Sequence, residues 1–455
     1  MPAGEHAGTC HYGARTYRTL WFCRYRSSRQ AAPGKDFALT IPLPPSSAPA
    51  ITRGRAWGLV AFMWVAYLLN YSDRQVVFSI FPILKAELGF SDTQLGLTGS
   101  VFLWVYAFCS PIAGQVGDLF SKRVLVVVSL VLWSGVTTLT GFSTSAMMLL
   151  ACRALIGITE SLFIPPALAL TANAHGPKTR SRAIAVFDTA QLAGVVLGGW
   201  FGGVMAQQGH WRFAFFALGI VGILFAVPYF LFLKGTSEEA AVETKKSGGG
   251  LAIATLIRIA SYRFLCLVFP AFTFVLWLLY TWLPNFLYEK FSLSLAEAGF
   301  TATVYLQAAT LVGLLAGGVG ADWLYSRTKA ARSWLVCVGM LLAAPCVHLI
   351  GNTESLLFTK VAAIGFGLGS GLFIANLMVS SFEVVPADTR ASAAGCLNLI
   401  GAAVSGFAAL LGGMWKGSIG IPKLMTYASL TCVVTAVVLA IGIQIYFQRD
   451  YDRVH

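Results

Sequence analysis

The sequence predicts an all-α membrane protein, with twelve transmembrane helices in two pseudo-symmetric six-helix bundles. Three observations carry that expectation. Of 455 residues, 57% are hydrophobic in type and 11% charged, with a mean hydropathy of +0.72, whereas a soluble domain carries about 25% charged residues. Apolar runs recur at spacings that suit helices of roughly 20 residues per span. A loop pattern that follows the second run returns after the eighth. A cytosolic enzyme, a disordered chain and a DNA-binding domain are excluded by the first observation alone. The net charge of +13 sits between the apolar runs, as topology signals do, so no nucleic-acid partner is expected.

Residues 1–56 differ from the rest. They hold Arg15, Arg18, Arg24, Arg26, Arg29, Lys35, Arg53 and Arg55, with a Pro/Ser/Ala stretch, and read as a disordered basic cytoplasmic tail. From Trp57 the expected spans lie near 57–84, 94–116, 124–142, 147–172, 183–206 and 213–233, then 262–288, 298–320, 333–351, 355–381, 391–413 and 424–447. The long polar connector 234–261 is the linker between an N-terminal bundle over 57–233 and a C-terminal bundle over 262–447, followed by a short tail, 448–455. Placing both termini in the cytoplasm puts most of the Lys and Arg residues on the inner side, including Lys122, Arg123, Lys178, Arg180, Arg182, Arg327, Lys329 and Arg332, as the positive-inside rule requires. The expected location is the cell inner or plasma membrane, and the expected state is a monomer.

Chemistry-bearing motifs of other classes are missing. No GxxxxGK[ST] phosphate loop, HExxH or GxSxG occurs, which argues against ATP-driven transport and hydrolysis. The cysteines form no CxxC and the six histidines are scattered, so neither metal nor cofactor is expected.

The loop after span 2 reads GQVGDLFSKR, with Gly114, Gly117, Asp118, Lys122 and Arg123; that after span 8 reads GVGADWLYSRTK, with Gly318, Gly320, Asp322, Arg327 and Lys329. In each, a glycine precedes an aspartate by four residues and bases follow. Glycines let helices approach closely in a bilayer, and the aspartate can pair with nearby bases to lock the cytoplasmic face. A second echo joins PKTRSRA before span 5 to PADTRASA before span 11. Two six-span halves with this loop in equivalent places resemble the major facilitator superfamily. The first loop departs from that family's Gly-x-Leu-Ala-Asp-Arg-x-Gly-Arg-Lys pattern at Val116, Gly117, Leu119 and Ser121. The resemblance implies a secondary transporter whose bundles rock about a midplane site, with no enzymatic activity. Gly194, Gly198, Gly199, Gly202 and Gly203 of span 5 suit close packing where that rocking occurs.

Span 1 places Asp73 and Arg74 deep in an apolar run, YLLNYSDRQ. A charge at bilayer centre costs about 2.5–3.5 kcal/mol on insertion scales, so these two require a partner or a water-filled cavity. Tyr67, Asn70, Tyr71 and Arg74 form one helical stripe. Span 4, RALIGITESLFIPP, puts Arg153, Gly157 and Glu160 on one face, with Glu160 about 10 Å beyond Arg153, at a depth similar to Asp73. A guanidinium can grip a planar anion, and a cargo carboxylate or phosphate at Arg74 would remove its stabilisation of the carboxylates, coupling protonation to binding.

NYSDRQ with RALIGITES resembles the anion:cation symporters (sugar-acid, hexuronate and sialic-acid carriers) and the Spinster-like branch, which moves lysophospholipid-type amphiphiles. The resemblance implies functional roles for Asp73, Arg74 and Glu160, with Asp73 and Glu160 coupling protons. AAGCLNLIGAAVSG of span 11 is close to a Gly-x-x-Asn-x-x-Gly pattern of the symporters and implies a substrate-facing Asn398. In the second half, Tyr280 and Trp282 near a break at Pro284, Tyr305, Gln307 and Asn376 are candidate cargo contacts, and Glu383 is expected to make a loop contact. The expected function is symport of a small organic anion with protons; the alternative cargo is a lysophospholipid or amphipathic drug, with export as an open direction.

Overall fold

The computed structural model describes residues 52–234 and 249–455, without the side chains at 117, 118, 177 and 249–253. Nearly all of the tail expected over 1–56 and much of the linker expected over 234–261 lie outside the described residues.

Span 1 is α1 (Arg53–Ser79), continued after a one-residue break by α2 (Phe81–Leu88). Pro82 opens α2, where its missing N–H costs nothing, and Gly89, at φ 65°, closes it. Then follow α3 (Asp92–Leu119), α4 (Lys122–Thr140), α5 (Ala146–Ser161) with α6 (Ile164–Asn173), α7 (Pro177–Gln207) and α8 (Trp211–Lys234). A short α9 (Gly249–Arg258) precedes the second half: α10 (Ala260–Phe291), α11 (Leu295–Tyr325), α12 (Ala331–Asn352), α13 (Leu356–Val384), α14 (Arg390–Lys416) and α15 (Gly420–Gly442), the last continuing through a π-helical turn into α16 (Gln448–Asp452). Eleven spans are long and apolar enough to cross a membrane among the described residues. The twelfth, α1, is the most polar, and it buries Asn70, Asp73, Arg74 and Gln75 inside the protein.

The two halves echo each other at the start of their second span. Span 2 and span 8 both begin with a capping box: Ser91 and Gln94 at the start of α3, Ser294 and Glu297 at the start of α11. In each, side chains satisfy N–H groups the helix leaves over.

Span 4 departs from the continuous helix expected over 147–172. It breaks at Leu162–Phe163, where Pro165 and Pro166 start a new helix directly after Glu160. The break expected at Pro284 does not occur, because α10 runs unbroken through both Pro270 and Pro284. A proline frees the carbonyl four residues before it, here that of Tyr280, and Gln75 Nε2 donates to that carbonyl at 3.2 Å from the other half.

The halves meet along two seams, α3 with α14 and α7 with α11. An even number of spans puts both termini on one face, opposite the distal face. Among the described residues, the hydrogen bonds and ion pairs that join the halves lie between the distal face and the middle of the bundle. Ser100 Oγ donates to the Gly406 carbonyl at 2.7 Å, Trp104 Nε1 to the Ala403 carbonyl at 2.9 Å, and Lys416 pairs with Asp92 at 3.6 Å. The span-5 glycines divide between two tasks. Gly199 and Gly203 lie against Gly299 and Leu295 of α11 across the seam, whereas Gly194, Gly198 and Gly202 lie against Leu68, Ser72 and Val76 of α1 within their own half. Only the first pair sits at the interface between bundles.

Candidate functional site

The polar face of α1 meets α3, α4 and α5 in a cluster of buried charges. Arg74 Nε lies 2.6 Å from Glu160 Oε2, with both side chains almost wholly buried. Asp73 points elsewhere: its Oδ2 accepts from Thr137 Oγ1 of α4 at 2.7 Å. Of the two counter-charges available to Arg74, then, Glu160 is the direct partner. Arg153 donates from Nε to the Thr98 carbonyl of α3 at 3.2 Å and is fully buried. Asp73 and Glu160 also lie within electrostatic range of each other.

Gly157 makes this geometry possible. A Cβ there would come within 2.8 Å of the Phe102 carbonyl, so only glycine lets α5 press against α3 and carry Arg153 and Glu160 to either side of that contact. The guanidinium carbons of Arg74 and Arg153 lie 4.7 and 4.8 Å from the centre of the Phe102 ring, and Arg74 also lies 4.5 Å from Tyr71 and 5.2 Å from Tyr106. Aromatic faces attract cations and help hold two like charges close together.

The cluster is rich in polar atoms without protein partners. Arg74 Nη2, both Nη atoms of Arg153, Glu160 Oε1, Asp73 Oδ1 and both amide atoms of Asn70 are buried and unmatched. Buried polar atoms are normally bonded, so this concentration calls for partners from outside the chain, water or a ligand. Tyr67 donates to Gln191 Oε1 of α7 at 3.1 Å and stacks on Phe187 at 4.5 Å.

From the second half, Trp277 packs against the Phe102 and Ile156 side of the cluster. Tyr280 accepts from Gln307 Nε2 at 2.8 Å, and Gln307 Oε1 is left unpartnered. The other candidates of this half stand apart. Asn376 Nδ2 donates to the carbonyls of Gly317 and Leu372 at 3.2 and 2.9 Å, so its nitrogen ties α13 to α11. Tyr305 receives Lys360 over its ring at 5.5 Å. Asn398 is exposed on α14.

At the repeated loops the outcome is mixed. Gly117 and Asp118 have side chains outside the described residues. A Cβ at Gly114 or Gly318 would meet nothing within 4 Å, so the close helix approach expected there is not made. Both glycines lie toward the terminal face, and the tight contacts of α11 fall instead at Gly313 and Gly317. Asp322 pairs with Arg332 of α12 at 3.2 Å, and Arg332 reaches Glu383 at 2.5 Å. Arg327 lies over Trp323 at 4.1 Å instead. The expected partner of Asp322 is therefore corrected from the bases just downstream to Arg332, which the start of α12 brings beside both acids. Lys122 and Arg123 open α4, and Arg123 Nε is buried without a partner.

Sequence reasoning missed Thr98, Phe102, Tyr106, Thr137, Gln75, Gln191 and Trp277, since ordinary span residues carry no signal before their neighbours are known. Asp188 of α7 was also missed, and there a signal existed: an acid within an apolar run. Among the described residues no group of three or more His, Cys, Asp or Glu is placed to hold a metal ion.

Comparison with known proteins agrees with this picture. The family model of the Major Facilitator Superfamily matches residues 63–410. The chain is 26% identical over 314 residues to a hexuronate transporter of Bacillus subtilis, covering 68% of this chain and 71% of that one. It is 30% identical over 317 residues to a protein of Cupriavidus necator named as a probable sulfoacetate transporter, covering 66% and 70%. In fold it matches the crystal structure of a bacterial homolog of the human lysosomal transporter Spinster, inward-facing and unoccupied, with a TM-score of 0.72 at 21% identity, over 89% of this chain and 99% of that one.

Proposed function

The chain belongs to the Major Facilitator Superfamily, and on that premise we propose that it moves a small organic anion, a sugar acid or similar carboxylate, together with protons by alternating access. The observation that carries this reading is the Arg74–Glu160 pair, set beside Asp73 and Arg153 with unmatched atoms on all four side chains. Fully ionised, two acids and two arginines balance. An incoming carboxylate that takes Arg74 in bidentate fashion displaces Glu160 and leaves one negative charge in excess. Two carboxyl groups in a dry site accept a proton rather than both stay ionised, so cargo binding draws a proton onto the Asp73–Glu160 pair. The cargo of two relatives, hexuronate and sulfoacetate, is anionic and fits this chemistry.

Positive-inside bookkeeping puts the termini in the cytoplasm. The distal face is then external, and the seams closed there correspond to an inward-open state. Gln75, Ser100, Trp104 and Lys416 form the outer closure, and Arg74 lies just beneath it. Tyr280 and Gln307 of the second half shape the cargo space, and the exposed Asn398 lines the open side.

The reading is tested in proteoliposomes with an inward proton gradient. Galacturonate or gluconate should accumulate, and a protonophore should abolish the accumulation. Accumulation that ignores the protonophore removes the symport, and transport of lysophospholipid with no sugar-acid uptake assigns the site to an amphiphile. Asp73→Asn should retain binding while losing the response to the gradient; Arg74→Ala should lose anion binding.

A further inference from the structure

Asp188 has no part in the charge cluster, yet it lies eleven residues into the 31-residue helix α7. Its side chain is exposed at the surface of the bundle, and among the described residues it takes no hydrogen bond or ion pair. An unpaired carboxylate in a membrane-spanning helix needs water around it, and its direction on the helix says where that water is. Gly199 lies eleven residues further on, about 20° from Asp188 in helical direction and roughly 16 Å along the axis. Gly199 abuts Gly299 of α11 across the seam. Asp188 therefore faces the second half, on the terminal side of the closed seam, in the gap between the bundles.

Its neighbours place it beside the cargo space. Phe187, the preceding residue, stacks on Tyr67, and Gln191, one turn on, accepts from the Tyr67 hydroxyl. Tyr67 lies within electrostatic range of both Asp188 and Arg74, and along α1 the rise from Tyr67 to Arg74 is roughly 10 Å. A guanidinium with a free Nη2 and a carboxylate with no partner thus both lie within electrostatic range of one tyrosine.

We propose that Asp188 is the second pole of the cargo site and sets the charge of what is carried. This rests on the functional reading above and narrows it. The site takes an acid with one anionic end, held at Arg74, and hydrogen-bond donors at the other end, hydroxyl or ammonium, donated to Asp188. A second carboxylate at that end meets Asp188 as a like charge and is rejected, since like charges set against each other in a confined site are strongly unfavourable.

Gluconate and glucarate test this, for they share a six-carbon skeleton and differ in whether the far end is a hydroxymethyl or a carboxylate. Binding of each to the purified full-length protein is measured by isothermal titration calorimetry. The wild type should bind gluconate at least about tenfold more tightly than glucarate. Asp188→Asn should bring the two within about twofold, chiefly by gaining glucarate, and Asp188→Glu should keep the preference. Equal wild-type affinities, or a ratio unchanged in Asp188→Asn, would overturn the proposal; should that variant not fold, Asp188→Ser replaces it and the wild-type ratio still decides. Binding of neither acid by the wild type removes the functional reading, and this inference with it, which is a different result from equal binding of both.

Discussion

The bond from Gln75 to the Tyr280 carbonyl joins the two halves at an acceptor that exists only because Pro284 has no N–H to give it. Replacing Gln75 by Leu removes the donor and leaves that buried carbonyl unmatched in the closed seam. A group orphaned in this way costs about 1–3 kcal/mol, which is about a 5- to 150-fold shift between two states. When the seam opens, water reaches the carbonyl and the cost disappears, so Gln75→Leu should favour separation of the distal face by that factor. Pro284→Ala supplies an N–H inside α10 and gives the Tyr280 carbonyl a partner of its own. In that background Gln75→Leu should shift the equilibrium by less than about threefold, because the carbonyl is no longer left bare. Electron–electron double resonance can read this with spin labels at Ala86 and Ser418, exposed positions on the distal face of either half, in a background without native cysteines. An equal shift from Gln75→Leu with and without Pro284 would refute the role given to the freed carbonyl.

Other outcomes follow from the same contacts. Gly198→Ala drives a methyl onto the Ser72 backbone of α1 and should lower stability by about 1–3 kcal/mol, while Gly395→Ala, with nothing within 4 Å, should leave the thermal melt in detergent unchanged; equal melts would show that the α1–α7 contact is not tight. Arg332→Ala strips the partner from Asp322 and from the buried Glu383 and should cost about 1–3 kcal/mol, against under about 0.5 for Arg327→Ala at the surface, as compared by denaturation in detergent. Gly157→Val should abolish anion binding in a protein that still reaches the membrane, since α5 can no longer hold Glu160 beside Arg74; retained affinity in a binding titration would argue against that packing requirement.

Much of the fold was legible because a membrane imposes it. Twelve apolar runs and the repeated Gly–Asp loop specify two like halves, and backbone groups in lipid have few choices beyond helix. The charge cluster was legible for a related reason: Asp73, Arg74 and Glu160 are too costly in lipid to be incidental. What the sequence withheld depends on which atoms meet. Helical spacing could not say that Glu160, rather than Asp73, would take Arg74, because the choice follows from how closely Gly157 lets α5 approach α3. Pro284 looked like a break because a proline's local effect is unfavourable, and the compensating donor lies 205 residues away in the chain. Asp322 has bases close behind it, yet Arg332 reaches it because α12 turns back over the loop. Asn376 resembled a cargo contact by residue type, but its amide nitrogen is spent on carbonyls that only the folded bundle presents.

The central claim is that cargo and Glu160 compete for Arg74, with a proton making up the difference. Proton uptake on binding measures it: gluconate is added to the purified protein in weak buffer with a pH-sensitive dye. The account predicts uptake of about one proton per anion bound by the wild type, binding without uptake by Glu160→Gln, and neither by Arg74→Ala. Full anion binding by the wild type with no change in proton count, or undiminished uptake in Glu160→Gln, would contradict it.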